Sequence, residues 1–151
     1  MSGGARLDDA AVGALQDVLA AEHAALWSYA LAVAVLVAPD QLAAARTDSA
    51  AHRELRAAVE VTLTQVGQRP VSAQPAYATP KPVVDAASAA TLLVTAETDA
   101  AAAWRSVLER SADRALRRAG LDALTDTTAR CARWRAAVGT TPVVPVFPGR
   151  P

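Results

Sequence analysis

Apolar residues recur every three or four positions along most of this chain, a spacing that is typical of helices packed into a bundle. The first such segment predicts a helix over residues 8–37, which begins with acidic residues that suit a helix N-terminus and ends before Pro39. Its inward stripe comprises Leu15, Leu19, Glu22, Leu26, Tyr29, Val33 and Leu36. Glu22 therefore falls on the stripe that should face the core, and His23 lies at its flank.

A second periodic segment predicts a helix over residues 40–66, with Gly67 as a suitable C-terminal cap. Its stripe comprises Ala45, Ser49, His52, Leu55, Val59, Thr62 and Val66, which places His52 among the core positions. Because the connection around Pro39 is short, the first two helices should be antiparallel neighbours.

Residues 68–85 contain four prolines and cannot form a regular helix. Extended, this segment could reach roughly 55 Å, whereas a 26-residue helix is about 39 Å long. It is therefore long enough to travel the length of a bundle and to make helices 2 and 3 parallel. A disordered linker between two separate helical hairpins is the alternative.

The remaining periodic segments predict a third helix over residues 86–110 and a fourth over residues 113–138. Their stripes comprise Ala90, Leu93, Glu97, Ala100, Trp104 and Leu108, then Leu116, Ala119, Ala123, Thr127, Cys131, Trp134 and Val138. Glu97 again occupies a core position. A break at Gly120 with a longer third helix is the competing interpretation.

The last residues, 139–151, are too rich in proline for a helix. Their larger apolar side chains should lie against the bundle or against a neighbouring subunit: Val143, Val144, Val146 and Phe147.

Four helices with short connections at 1–2 and 3–4 and one long crossover have the connectivity of a ferritin-like four-helix bundle. The chain is thus expected to be one all-α domain over residues 1–151. Di-metal sites in such bundles use one Glu from each of two helices and Glu-x-x-His from the other two. Glu22, His52 and Glu97 occupy such places, but Ser49 stands three residues before His52, and helix 4 has neither Glu nor His.

Several short motifs carry a resemblance to a known family. They are Glu22-His23, Ala51-His52-Arg53, the segment 76–80, Glu97, Arg133-Trp134-Arg135 and Phe147-Pro148-Gly149. Over nearly its whole length the chain resembles an actinobacterial family of ferritin-like domains of unknown function. The resemblance implies the fold and implies no established activity, and the alanine-rich composition is in keeping with such an origin.

The acidic and imidazole side chains on the stripes form the candidate centre. Buried carboxylates need positively charged partners, and Arg56 and Arg130 lie at levels where they could supply that charge to Glu22, His52 and Glu97. The favoured interpretation is an internal polar cluster of these residues. The alternative is a reduced metal site in which Glu22, His52 and Glu97 bind Fe, Mn or Zn.

Composition narrows the classes of partner. Formal net charge is zero, which disfavours nucleic acid and an anionic membrane. Residues 1–40 hold five acids against one Arg, and residues 104–135 hold eight Arg against four acids, so oppositely charged helices should lie side by side. A basic surface that binds an acidic partner, or nucleic acid, is the alternative for the second region.

The compartment is expected to be the cytoplasm. Cys131 is the only cysteine, most simply a small buried hydrophobe, and an intrachain disulfide is therefore impossible. Residues 1–10 lack the pattern of an export signal, and the longest apolar run, residues 24–38, is shorter than the roughly 20 residues that span a bilayer.

Two functions from different classes follow. The sequence favours a non-catalytic structural or binding module, expected to be a homodimer that buries residues 30–38 and the tail. The alternative is a small metal-binding protein or non-haem metal-dependent oxidoreductase. No motif identifies a substrate or small-molecule ligand.

Overall fold

The computed structural model describes residues 7–150, which form four helices and no strand. The helices are α1 (Asp9–Val35), α2 (Pro39–Gln65), α3 (Ala86–Arg110) and α4 (Arg114–Ala137). The all-helical prediction is confirmed. α1 ends at Val35 instead of residue 37, and α3 has the predicted bounds.

Local capping explains where the helices begin. Asp8 accepts a hydrogen bond from the backbone N–H of Ala11 at 2.8 Å, and Asp113 does the same for Leu116 at 2.7 Å. At the start of α3, Asp85 and Ser88 form a reciprocal capping box. α3 ends at Arg110 and Gly120 lies inside α4, so the alternative with a longer third helix is wrong.

The helices pack so that α1 contacts α2 and α3, and α3 also contacts α4. One apolar cluster contains Ala14, Leu15, Val18, Leu19, Val59, Leu63, Trp104, Val107 and Ala123. The other contains Tyr29, Ala32, Leu36, Ala45, Ala89, Ala90, Leu93 and Trp134. The first joins the start of α1 to the ends of α2 and α3, and the second joins the opposite ends. α2 and α3 are therefore parallel to each other and antiparallel to α1 and α4.

The segment between α2 and α3 lies along the outside of α1. The Gln16 side chain donates to the carbonyl of Arg69 at 2.8 Å and accepts from the N–H of Val71 at 2.9 Å. Further along, the Trp27 and Tyr77 rings pack with centroids 5.9 Å apart. These contacts tie the segment to the bundle, in contrast to the disordered linker considered as the alternative.

The tail after α4 folds back over α3 and α4. Arg135 donates to the carbonyl of Pro142 at 3.0 and 2.7 Å, and Arg105 donates to that of Pro148 at 3.3 Å. The expected packing of the large apolar tail residues against the bundle is wrong, since Val144, Val146 and Phe147 are 54%, 78% and 61% exposed. Contact of this surface with a neighbouring subunit stays a prediction.

Of the residues described, only α1 is long and apolar enough to cross a membrane by length and composition, with a mean hydropathy of 1.5. The buried core helix of a bundle meets the same criterion, and α1 supplies residues to both apolar clusters. The compartment and the absence of membrane contact stay predictions.

Candidate functional site: an internal ionic network

A polar network lies between the two apolar clusters and joins all four helices. Glu22 of α1, His52 of α2, Glu97 of α3 and Arg130 of α4 contribute to it. The first three are 0% exposed and Arg130 is 6% exposed. Helical spacing on each stripe turns these side chains inward, so four charged groups share one buried interior.

His52 is the centre of this network. Its Nδ1 lies 2.6 Å from Oε2 of Glu22, and its Nε2 lies 2.9 Å from Oε1 of Glu97. Both ring nitrogens therefore face acceptors, and both hydrogen bonds form only when both nitrogens carry a proton. The imidazole is held as a cation between two carboxylates.

The pKa of His52 reflects this environment. Burial alone would lower it, but the hydrogen bonds and negative charges of Glu22 and Glu97 outweigh burial and raise the pKa to about 9. His52 is therefore protonated at neutral pH, and supplies positive charge to the interior.

Each carboxylate oxygen of the two glutamates accepts at least one hydrogen bond. The second oxygen of Glu22 accepts from the indole N–H of Trp104 at 2.8 Å. Oε1 of Glu97 also accepts from the Tyr29 hydroxyl at 2.5 Å, and Arg130 Nε donates to its two oxygens at 3.2 and 3.3 Å. Every oxygen of the two buried carboxylates thus has a hydrogen-bond donor, as the burial of a carboxylate requires.

Asp48 extends the network towards the surface. It lies 3.3 Å from the Tyr29 hydroxyl and accepts from Trp134 Nε1 at 3.0 Å and from Arg133 Nη2 at 2.5 Å. Burial raises the pKa of Asp48, and the Arg133 guanidinium partly opposes that rise. Burial also raises the pKa of Tyr29, so its hydroxyl stays protonated and donates.

With Asp48 ionised, three carboxylates face three cationic groups, and the network is electrically balanced. Its charged members are Glu22, Asp48, Glu97, His52, Arg130 and Arg133. Such balance limits the free-energy cost of burying charge, since each group has an oppositely charged partner in contact.

The predicted site residues are partly brought together. Glu22, His52, Glu97 and Arg130 meet, as the favoured interpretation of the sequence expected. The inclusion of Arg56 is wrong. Its side chain is 38% exposed, its nearest carboxylate is Glu60 on the same helix at 3.8 Å, and its Nε lacks a hydrogen-bond partner.

Sequence reasoning did not place the remaining members of the network in the site. They are Tyr29, Asp48, Trp104, Thr127, Arg133 and Trp134. Two signals were available: Asp48 lies four residues before His52 on α2, and the aromatic residues of the stripes carry polar tips.

The donor set does not fit a metal ion. A metal at Glu22, His52 and Glu97 would need a ring nitrogen without its proton, but both nitrogens of His52 face carboxylates, and the glutamate oxygens accept from Trp104, Tyr29 and Arg130. Within residues 7–150, no group of three or more His, Cys, Asp or Glu side chains has a geometry that could hold a metal ion.

Comparison with known proteins gives a family and a solved structure. Residues 14–151 match the family model described as a domain of unknown function, DUF4439. The chain is also similar to the crystal structure of a conserved hypothetical protein, rv2844, from Mycobacterium tuberculosis. That likeness has 34% identity and a TM-score of 0.82, and it covers 92% of this chain and 97% of the other. No curated protein matches.

Proposed function

Because this chain belongs to the DUF4439 family, a domain of unknown function, we propose a function for it from the charged side chains buried in its helical bundle. It is a ferritin-like, non-catalytic module in which an ionic network takes the place of a di-metal centre. The family match and the mycobacterial structure fit an actinobacterial family of unknown function, and the ferritin-like part of the resemblance stays a proposal.

The ferritin-like part of the proposal is supported by the helix directions and the connections. The parallel pair α2 and α3 is joined by the long segment 66–85, and the other two connections are short. Each helix also sends at least one polar side chain to the same interior, as the helices of di-metal bundles do.

The observation that carries the proposal is the position of His52 between Glu22 and Glu97. In this position a protonated imidazole supplies the positive charge that two buried carboxylates need, with Arg130 as the second cation. The network therefore links the helices through buried ion pairs and hydrogen bonds. Its chemistry is limited to holding a proton on His52 and balancing the buried charges.

The test is metal analysis of the purified protein after growth with Fe, Mn and Zn in the medium, together with chemical unfolding. We expect far less than one metal per chain. His52→Ala should lower the free energy of unfolding by about 3–5 kcal/mol, because it leaves two buried carboxylates without their shared cation. His23→Ala is the matched control, since the ring of His23 is also buried but forms its hydrogen bond with the carbonyl of Val71, at 3.2 Å, and none with the network.

The opposite result would support the alternative of a small metal-binding protein or oxidoreductase. That result is about one metal ion per chain in the purified protein, lost in both Glu22→Ala and His52→Ala and retained in His23→Ala.

A further inference from the structure

The outer side of the α1–α2 pair contains a cavity of about 290 Å³, and Tyr29 is the one residue of the internal network that lines it. Its α2 wall is formed by Arg46, Ser49, Arg53 and Arg56. These positions follow one another at intervals of three and four residues, so they share one face of the helix. Three guanidinium groups thus border a single small space.

Two of the three arginines of this wall lack a compensating acid. Among residues 7–150, no carboxylate pairs with Arg46 or Arg53. Arg56 Nε is buried and has no hydrogen-bond partner, although Glu60 lies 3.8 Å away. Three arginines and one nearby carboxylate give this wall an excess of positive charge, which favours an anion in the cavity.

The facing wall is apolar. It consists of Leu26, Tyr29, Ala30 and Val33 from α1. The Tyr29 hydroxyl is bonded to Glu97 in the interior, and the other three side chains carry no charge and no hydrogen-bonding group. A fully hydrated ion would leave this wall uncovered, whereas a ligand with an apolar portion would cover it. The cavity lies just below the usual size range of small-molecule sites, about 300–1,000 Å³, which favours a small ligand.

We propose that this cavity binds a small organic anion, a carboxylate or phosphate monoester that carries an apolar group. The anionic head is held by Arg46, Arg53 and Arg56, and the apolar group lies against the α1 wall. The guanidinium Nη–H groups of these arginines donate charge-assisted hydrogen bonds to the head. The site shares only Tyr29 with the network, and none of Glu22, His52 and Glu97 lines it, so it stands whether or not those three residues hold metal.

Isothermal titration calorimetry of the full chain at low ionic strength tests this proposal. The probes are octyl phosphate, octanoate, inorganic phosphate and octanol, each below any concentration at which it forms micelles. Octyl phosphate and octanoate carry both an anionic head and an apolar chain. Inorganic phosphate lacks the apolar chain, and octanol lacks the negative charge. Arg56→Gln changes the α2 wall, and Ala30→Glu changes the α1 wall.

Two matched variants control for charge and for fold. Arg118→Gln removes one arginine from the exposed surface of α4, where it pairs with Asp122 at 3.1 Å. Ala20→Glu places the same new carboxylate at another exposed position of α1, away from the cavity. Circular dichroism of each variant confirms that it is folded before titration.

Octyl phosphate and octanoate should bind more tightly than inorganic phosphate, and octanol should not bind. Arg56→Gln should weaken both amphipathic probes by about tenfold or more, as the loss of one charge-assisted hydrogen bond predicts. Ala30→Glu should abolish their binding because its carboxylate would pair with the arginines, while both controls stay within about twofold of the unaltered chain.

Equal binding of octanol and octyl phosphate would overturn the proposal, because the arginines would then contribute nothing. Equal weakening by Arg56→Gln and Arg118→Gln would overturn it too, since binding would then reflect net charge alone. Failure of both amphipathic probes to bind has the same consequence.

Discussion

At the scale of single residues, the buried glutamates depend on neutral donors as well as on cations. The Trp104 indole N–H donates to Oε1 of Glu22 at 2.8 Å, whereas the imidazole of His52 contacts the other oxygen, Oε2. Trp104 is 3% exposed, so water cannot replace that donor. An aromatic residue of the apolar cluster thus also solvates a charge.

Trp104→Phe keeps the aromatic packing and removes the donor. We expect a loss of about 1–3 kcal/mol in the free energy of unfolding, the usual cost of leaving a buried acceptor unsatisfied. Urea unfolding measures it. Trp27→Phe is the control, because the Trp27 ring is half-buried and packs against Tyr77 without serving a carboxylate. Equal losses in the two variants would show that the indole N–H contributes nothing special.

Helical spacing predicted the inward direction of Glu22, His52 and Glu97 because it determines the face of the helix from which a side chain leaves. It does not determine where a long side chain ends. Arg56 lies one turn beyond His52, yet its side chain follows the outer groove of the α1–α2 pair. Spacing alone could not distinguish it from Arg130, whose guanidinium turns inward to Glu97.

At the scale of elements, the tail is held to α3 by a close backbone approach. Gly149 has a φ of +77°, and a Cβ there would lie 2.8 Å from the carbonyl oxygen of Ala101. The adjoining Pro145 and Pro148 border a cavity that also contacts Cys131, which is 4% exposed. The tail therefore covers the only thiol in the chain.

Gly149→Ala should lift the tail from α3 and expose Cys131, because the added methyl group collides with backbone that cannot move aside. We expect its reaction with a thiol reagent such as Ellman's reagent to become faster by tenfold or more, measured in native buffer. Gly139→Ala is the matched control. It shares the positive φ of +69° but has nothing within 4 Å of the added Cβ. Identical rates in the two variants would disprove the role of the close approach.

The helices themselves were predictable from sequence because their ends carry local signals. Asp85 begins α3 by capping, and Pro39 allows α2 to start directly after α1. The course of the tail was not predictable in the same way. Its contacts, such as that of Arg105 with Pro148, join residues far apart in sequence that have no periodic pattern.

At the scale of the whole molecule, the free energy of unfolding should depend on the proton held by His52. The pKa is raised from 6.5 to about 9 in the fold, a difference of about 3 kcal/mol. A group with a raised pKa stabilises the fold fully below its unfolded pKa, and that contribution is lost as pH rises through the folded pKa. Stability from His52 is thus complete below about pH 6.5 and declines towards pH 9.

Between pH 6 and 8.5 we expect the free energy of unfolding to fall by about 2 kcal/mol. Urea unfolding at intervals across this window measures the fall. The window ends below the titration of the Cys131 thiol, whose pKa burial raises above its ordinary value of 9.0. His52→Gln should be less stable and should lose this slope. A slope that persists in the variant would assign the titration to another group.

The direction of the helices was predictable because the proline-rich segment is long enough to travel the length of the bundle, whereas the other two connections are short. Its actual path was not, because it depends on individual contacts such as the two hydrogen bonds of Gln16 to the backbone of residues 69 and 71.

The four charged positions at the centre of the bundle come from separate quarters of the chain, at residues 22, 52, 97 and 130. A partly assembled bundle would bury carboxylates that lack their counter-charges, so every incomplete set of helices is penalised. The chain should therefore unfold in one all-or-none transition, and fragments that end before α4 should not persist as stable folded intermediates.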